Sequence, residues 1–338
     1  MIEKVQKNLI WIVFVLMIFS VILGRYYHNF FVSLKAILPF ALFLMLYKPM
    51  VYLKIGEVFT KKTNIKTKYL VVLTIFYVVI FPLTAFLLMK LAFLIMPNIN
   101  SNLVAGLVLL ALSPIATSAP AFVGMCKGKV QLVLVGVIYT FFLSLFIIPF
   151  GSRLILVHVV KVPIMALLKS LVIYIIIPLI IGQLTKYIVL KYKGKQTLEN
   201  LKAPLEALVL IGLFTMVIIV FGINGVMIAK EPQTILYGAI IMNIYFLLRW
   251  GLAYITGNLL KFPLEQNIAL TYSSTYNMTI STAIGIATFG PMAAVGTVIG
   301  GPFAEMIQMI LLVKFFEHVR KKTKVKNYEV TENKPGYL

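Results

Sequence analysis

Two short polar islands and one isolated acid hold most of the side chains in this chain that could do chemistry away from its ends. The first island lies in Leu107–Gln131, LVLLALSPIATSAPAFVGMCKGKVQ, where Ser113 precedes Pro114, and Thr117 and Ser118 precede Pro120. The second lies in Asn267–Gly290, NIALTYSSTYNMTISTAIGIATFG, where Ser273, Ser274, Thr275, Asn277, Thr279, Ser281 and Thr282 crowd into ten positions. Hydroxyls and an amide are neutral donors and acceptors, suited to holding and releasing a small polar solute. Each island interrupts a segment that is otherwise fit for hydrocarbon. Backbone groups cannot go unpaired there, so such an interruption persists only where protein or a water-filled cavity covers it. A pair of interrupted spans in corresponding halves of a chain points to the substrate site of a secondary carrier. Serine and threonine can also tie helices together or bond back to their own carbonyls. Seven small polar residues in ten positions exceed what that structural role needs.

Glu305 is the one carboxylate near the middle of an apolar run, 14 residues after Pro291 and 13 before His318. At about 1.5 Å per residue, either end of the run is roughly 20 Å away. An ionisable group at such depth is costly and points to function by default, and a desolvated carboxylate can exchange a proton. Gly300, Gly301 and Pro302 before it allow close backbone approach and a bend, and Gln308 follows at i+3 on the same face. Arg249, mid-run in Leu247-Leu248-Arg249-Trp250, is either a coupling group or a structural partner of Glu305. No catalytic residue, metal site or cofactor is expected. There is no acid pair, no phosphate loop, and His28, His158 and His318 have no ligand spacing. The single Cys126 excludes an internal disulfide.

The elements that must position these residues are membrane helices. Of 338 residues, 61% are hydrophobic and 12% charged, against about 45–50% and about 25% in soluble chains. Apolar runs able to cross about 30 Å of hydrocarbon recur from end to end. Ten spans are predicted: 8–24, 32–53, 69–96, 103–125, 130–157, 163–190, 203–228, 233–259, 265–289 and 292–317. The apolar run after Lys4 and Lys7 lacks a small-residue cleavage site and reads as a retained first span. Pro149 and Pro178 fall inside spans.

The formal charge of +21 sits in short connections: Lys54, Lys61, Lys62, Lys66 and Lys68; Lys186, Lys191, Lys193, Lys195 and Lys202; Arg320, Lys321, Lys322, Lys324 and Lys326. With ten spans all these clusters fall on one side, together with both termini. That is the positive-inside pattern of a cell-membrane protein with cytoplasmic ends, and it argues against nucleic-acid binding. Ala111-Leu112-Ser113-Pro114 matches Ala269-Leu270-Thr271-Tyr272 at an offset of 158 residues, close to half the chain. Two repeats of five spans would lie inverted in the membrane. The expected division is therefore 1–160 and 161–320 as five-helix repeats, then a polar cytoplasmic tail, 321–338.

The islands resemble those of the bile acid/sodium symporter superfamily, and in particular its arsenite-efflux permease branch. Pro114, Thr117 and Lys127-Gly128 keep the spacing of the superfamily's fourth-span pattern. The run Asn277–Gly290, followed by Gly301-Pro302-Phe303-Ala304-Glu305, is similar to the arsenite branch's ninth and tenth spans. The resemblance implies ten spans in two inverted repeats, with a panel moving against a core in which two broken helices cross. Ala119-Pro120 stands where the bile acid branch has Ser-Asn, and Tyr272, Tyr276 and Asn277 stand where it has Glu, Gln and Asn, so most sodium-holding side chains are absent. The cysteine that the arsenite branch carries early in its fourth-span island is absent from Pro114–Ser118.

The sequence thus predicts an all-α secondary transporter that moves a small anion or oxyacid by alternating access. Its substrate would meet Ser113, Thr117, Ser118, Ser273, Ser274, Thr275, Asn277 and Thr279. Glu305, Gln308 and Arg249 would couple its movement to protons. A sodium-dependent organic anion symporter and an arsenite efflux permease are the alternatives.

Overall fold

The computed structural model describes residues 8–53, 64–300 and 305–332. Among them the chain is helical, with turns between helices and no strand. The helices are α1 Leu9–Tyr26, α2 Leu38–Tyr52, α3 Asn64–Ile75, α4 Phe81–Ile95, α5 Ser101–Leu112, α6 Ala119–Met125, α7 Val130–Leu156 and α8 Ile164–Leu171. They continue with α9 Ile177–Tyr192, α10 Lys202–Ile223, α11 Gln233–Leu259, α12 Leu264–Tyr272, α13 Met278–Phe289, α14 Pro291–Gly300 and α15 Met306–Glu332. Short helical turns flank some of these. Lys54, Lys61, Lys62 and the Gly301–Ala304 part of the Gly-Pro-x-x-Glu element lie outside the described residues.

Among the described residues, six helical stretches are long and apolar enough to cross a membrane: His28–Tyr52, Thr67–Ile95, Val130–Leu156, Ile164–Tyr192, Gly194–Ile223 and Gln233–Leu259. Trp11–Tyr26, Ser101–Leu112 and Met278–Phe289 are shorter apolar helices. The outer surface is apolar as well. Trp11, Phe40, Leu94, Phe150, Leu154, Met165 and Leu259 are each more than half exposed, on a scale that a water-facing monomer does not carry. This is a multi-pass membrane protein.

Proline shapes two of the long spans. A π-helical turn, Phe76–Ile80, joins α3 to α4, and another, Val172–Ile176, joins α8 to α9. Each ends two residues before a proline, Pro82 or Pro178. Proline has no N–H to complete the ordinary i→i−4 bond, and the preceding turn widens instead. Pro149, by contrast, lies within the uninterrupted α7.

Helices from both ends of the chain pack together. α10 lies against α1 and α2, and α2 lies against α9. In a second group α5 is held by α4, α7, α13 and α14, while α12 touches α6, α7 and α11. The α5–α14 crossing is close because it is lined by glycine. A Cβ on Gly106 would stand 2.0 Å from the Ala293 carbonyl oxygen, and one on Gly296 would stand 2.4 Å from that of Leu103. Asn100 starts α5, its side chain accepting from the N–H of Asn102 at 2.9 Å, as an N-cap does.

Candidate functional site

The first island begins where α5 ends. Ser113 is extended, φ −72° and ψ 157°, because the residue before a proline is pushed out of the helical region. The chain becomes helical again only at Ala119, with Pro120 in the first turn of α6, where its missing N–H costs nothing. The second island, Ser273–Asn277, has no proline. It ends on Asn277, whose side-chain oxygen accepts from the Ile280 N–H at 3.1 Å and so caps α13.

The two islands meet and complete each other's backbone. The Asn277 N–H donates to Ser113 Oγ at 2.9 Å. In return the Ala116 N–H donates to Thr275 Oγ1 at 3.3 Å. Thr140 on α7 accepts from the Ile115 N–H at 3.2 Å. The carbonyls at the end of α5 are also taken up. Leu110 accepts from the Ser113 hydroxyl at 2.7 Å, Ala111 from Arg249 Nη1 at 2.9 Å, and Leu112 from the Tyr77 hydroxyl at 3.1 Å. Buried backbone groups need such partners wherever a helix stops inside hydrocarbon.

The predicted residues divide into groups. Ser113, Ser273, Ser274, Thr275 and Asn277 are buried. Their hydroxyls donate to carbonyls of the preceding turn: Ser273 to Ala269 at 2.7 Å, Ser274 to Thr271 at 2.6 Å and Thr275 to Tyr272 at 2.8 Å. Thus the helix-tying role of serine and threonine operates at these positions, leaving oxygen lone pairs as the free valence. Thr117 and Ser118 are exposed and Thr279 is half-buried. Ser118 Oγ lies 4.0 Å from Met309 Sδ.

Three buried polar groups gather around the crossing. Arg249 on α11 is fully buried. Its guanidinium carbon sits 3.6 Å above the Phe81 ring centre, 5.6 Å from that of Tyr245 and 5.8 Å from that of Tyr276. Among the described residues Nε and Nη2 have no hydrogen-bond partner. Glu305 is buried and accepts from the Tyr276 backbone, lies within electrostatic reach of Arg249, and keeps Oε1 unpaired. Gln308 donates to Asn243 Oδ1 at 2.8 Å, and its own Oε1 is unpaired. Among the described residues, donors on Arg249 and acceptors on Glu305 and Gln308 thus lack partners in the buried interior. That arrangement can bind a small solute carrying both kinds of group. Among the described residues no cluster of three or more His, Cys, Asp or Glu could hold a metal ion.

Sequence reasoning missed the tyrosines. Tyr69, buried on α3, shares a hydrogen bond with Ser273, and Gly136 makes room for its hydroxyl. Tyr77, Tyr245 and Tyr276 surround Arg249 or the end of α5. A lone phenol in the middle of an apolar run is the signal that could have found them, since a buried Tyr hydroxyl seeks a partner. Cys126 is buried at the end of α6, 3.5 Å from the Tyr272 hydroxyl.

The chain is 27% identical over 292 residues to the Arsenical-resistance protein Acr3 of Alkaliphilus metalliredigens, a match covering 82% of this chain and 80% of that protein. It is 26% identical over 222 residues, 64% of the chain, to an uncharacterized transporter of Synechocystis, and spans 58% of that protein. The Acr3 protein of Corynebacterium glutamicum is 26% identical over 153 residues, covering 44% of this chain and 41% of that protein. Residues 39–231, more than half of the chain, match the Sodium Bile acid symporter family. A membrane transporter rather than an enzyme, the chain belongs to that family.

Proposed function

We propose that this chain is a secondary active transporter that moves a small anion or neutral oxyacid across the cell membrane by alternating access, coupled to protons through Glu305. The observation that carries this is the crossing itself. Two helices stop and restart side by side, each supplying the hydroxyl that the other's backbone needs, beside a buried Arg249 and Glu305 with unpaired atoms. In this proposal ten spans form two inverted five-helix repeats, 1–160 and 161–320, and the interrupted helices are spans four and nine. Both termini and the tail, 321–338, lie in the cytoplasm. Substrate meets Ser113, Thr117, Ser118, Ser273, Ser274, Thr275, Asn277 and Thr279, and Gln308 and Arg249 support coupling. The N-terminal ends of α6 and α13 add positive dipole.

The arsenical-resistance relatives favour a trivalent oxyacid such as arsenite over a bulky organic anion. Hydroxyls and amides around Ser113 and Asn277 would then bind As–OH groups by hydrogen bonds, since Cys126 lies at the far end of α6. The test is uptake by proteoliposomes holding the purified chain, with arsenite heading a panel of small anions. An imposed proton gradient is expected to drive saturable flux, and an imposed sodium gradient at fixed pH is expected to drive none. Flux that follows sodium at fixed pH would make the chain a sodium symporter instead.

The site makes a narrower prediction at Asn277. Replacing it with alanine removes the α13 cap, which costs about 0.5–2 kcal/mol, and removes an amide from the crossing. Asn277→Ala should therefore fold, melt a few degrees lower, and transport several-fold more slowly. A variant with wild-type flux would place substrate elsewhere.

A further inference from the structure

A helix that stops inside the membrane leaves its last carbonyls, and the negative end of its dipole, without partners. In secondary carriers such half-helix C-termini are where coupling cations bind. α5 ends this way at Leu112, and its three final carbonyls are already satisfied by protein. Leu110 is taken by Ser113, Leu112 by Tyr77, and Ala111, between them, by the guanidinium of Arg249. An arginine side chain is a cation with five N–H donors and no acceptor. Over the Phe81 ring, with the rings of Tyr245 and Tyr276 beside it, this charge receives the aromatic contacts that a desolvated cation needs.

We infer that Arg249 is a tethered cation standing where a carrier of this design would otherwise hold a mobile one, so that the chain neither binds nor needs sodium. The donors left at the site call for an acceptor and not for another cation: among the described residues Arg249 Nε and Nη2 have no partner, and N–H groups can pair only with an anionic or carbonyl-like one. The second interrupted helix supports the assignment by contrast. At the end of α12 the carbonyls of Ala269, Thr271 and Tyr272 are taken by the hydroxyls of Ser273, Ser274 and Thr275, side chains of the same island. Among the described residues a cation thus meets the last carbonyls of α5 and not those of α12, and it comes from a side chain 138 residues away in sequence. A tethered cation cannot leave with the substrate. It therefore fixes the charge of the empty carrier and leaves the proton at Glu305 as the ion that moves.

The inference deepens the proposed proton-coupled reading but can fail separately from it. The test uses thermal unfolding of the full-length chain in detergent, with sodium replaced by choline at constant ionic strength. The wild type is expected to melt at the same temperature in both salts. A sodium-specific rise would overturn the inference whatever Glu305 does. Arg249→Ala vacates the site beside the Ala111 carbonyl and the Phe81 ring. It should melt lower, and guanidinium at a concentration too low to denature the wild type should raise its midpoint while leaving the wild type unchanged. No rescue by guanidinium would mean that Arg249 is merely a packing residue. If Arg249→Ala cannot be purified, Arg249→Lys keeps the positive charge and should remain indifferent to sodium. A sodium response appearing in Arg249→Lys would overturn the inference. Loss of proton coupling in Glu305 variants, or its persistence, moves none of these readouts.

Discussion

Glu305→Gln is expected to abolish proton-driven flux while leaving the chain folded and able to exchange substrate across the membrane. The carboxyl is buried, one oxygen accepts from the Tyr276 backbone and the other has no partner. Glutamine has the same length and still offers an oxygen to Tyr276, so the crossing keeps its shape. What it loses is the ability to take up a proton on one side and release it on the other. Substrate exchange at equal pH needs no net proton movement and should persist. Flux driven by a pH jump should fall to the level of empty vesicles. Unchanged pH-driven flux in this variant would remove Glu305 from coupling. Because the group sits in a desolvated interior, a neutral amide is also the substitution least costly to folding.

Gly106→Ala should destabilise the protein, although helix propensity alone predicts the opposite. In an exposed helix, alanine in place of glycine gains about 1 kcal/mol. Here the new methyl would lie 2.0 Å from the Ala293 carbonyl oxygen, a backbone atom that no rotamer change can move. α5 and α14 would have to separate, and overpacking of this kind costs typically 1–3 kcal/mol, occasionally more. The variant should show a clearly lower melting temperature in detergent and poor recovery from membranes, and Gly106→Leu should not fold. A raised midpoint in Gly106→Ala would show that the two helices do not meet at this point. The same crossing carries Ser113, seven residues after Gly106 at the C-terminal cap of α5, so a folded but displaced variant should also transport poorly.

Much of the fold was legible because hydrocarbon imposes simple rules. Long apolar runs had to be helices, and the prolines and hydroxyls of Pro114–Ser118 and Ser273–Asn277 had to mark places where helix stops. Glu305 stood out as the lone acid at depth. The partners were not legible. Arg249 was read as a coupling group or a mate for Glu305, which lies within its electrostatic reach, but its hydrogen bond to the Ala111 carbonyl and its contact with the Phe81 ring had no local signal. Asn277 and Ser113 are 164 residues apart, and nothing local in either sequence encodes the other. The density of hydroxyls in the second island also left open where each proton goes. Buried Ser273, Ser274 and Thr275 each donate their proton to a carbonyl of the preceding turn. The π-helical turns before Pro82 and Pro178 follow from a missing N–H, but which prolines widen a helix and which, like Pro149, leave it regular depends on packing.

The exchange of hydrogen bonds between the islands has a consequence for how the protein is made. The Ala116 N–H waits for Thr275, 159 residues later in the chain, and the Ala111 carbonyl waits for Arg249. At about 5–20 residues per second of synthesis, the first interrupted helix is in the ribosome's past for on the order of ten to thirty seconds before its partners exist. Throughout that interval its open backbone must be sheltered by the insertion machinery, by lipid headgroups or by water. Biogenesis rather than final stability is therefore the stage at which this carrier is most exposed to loss, and a chain truncated before Thr275 leaves that backbone permanently unfinished.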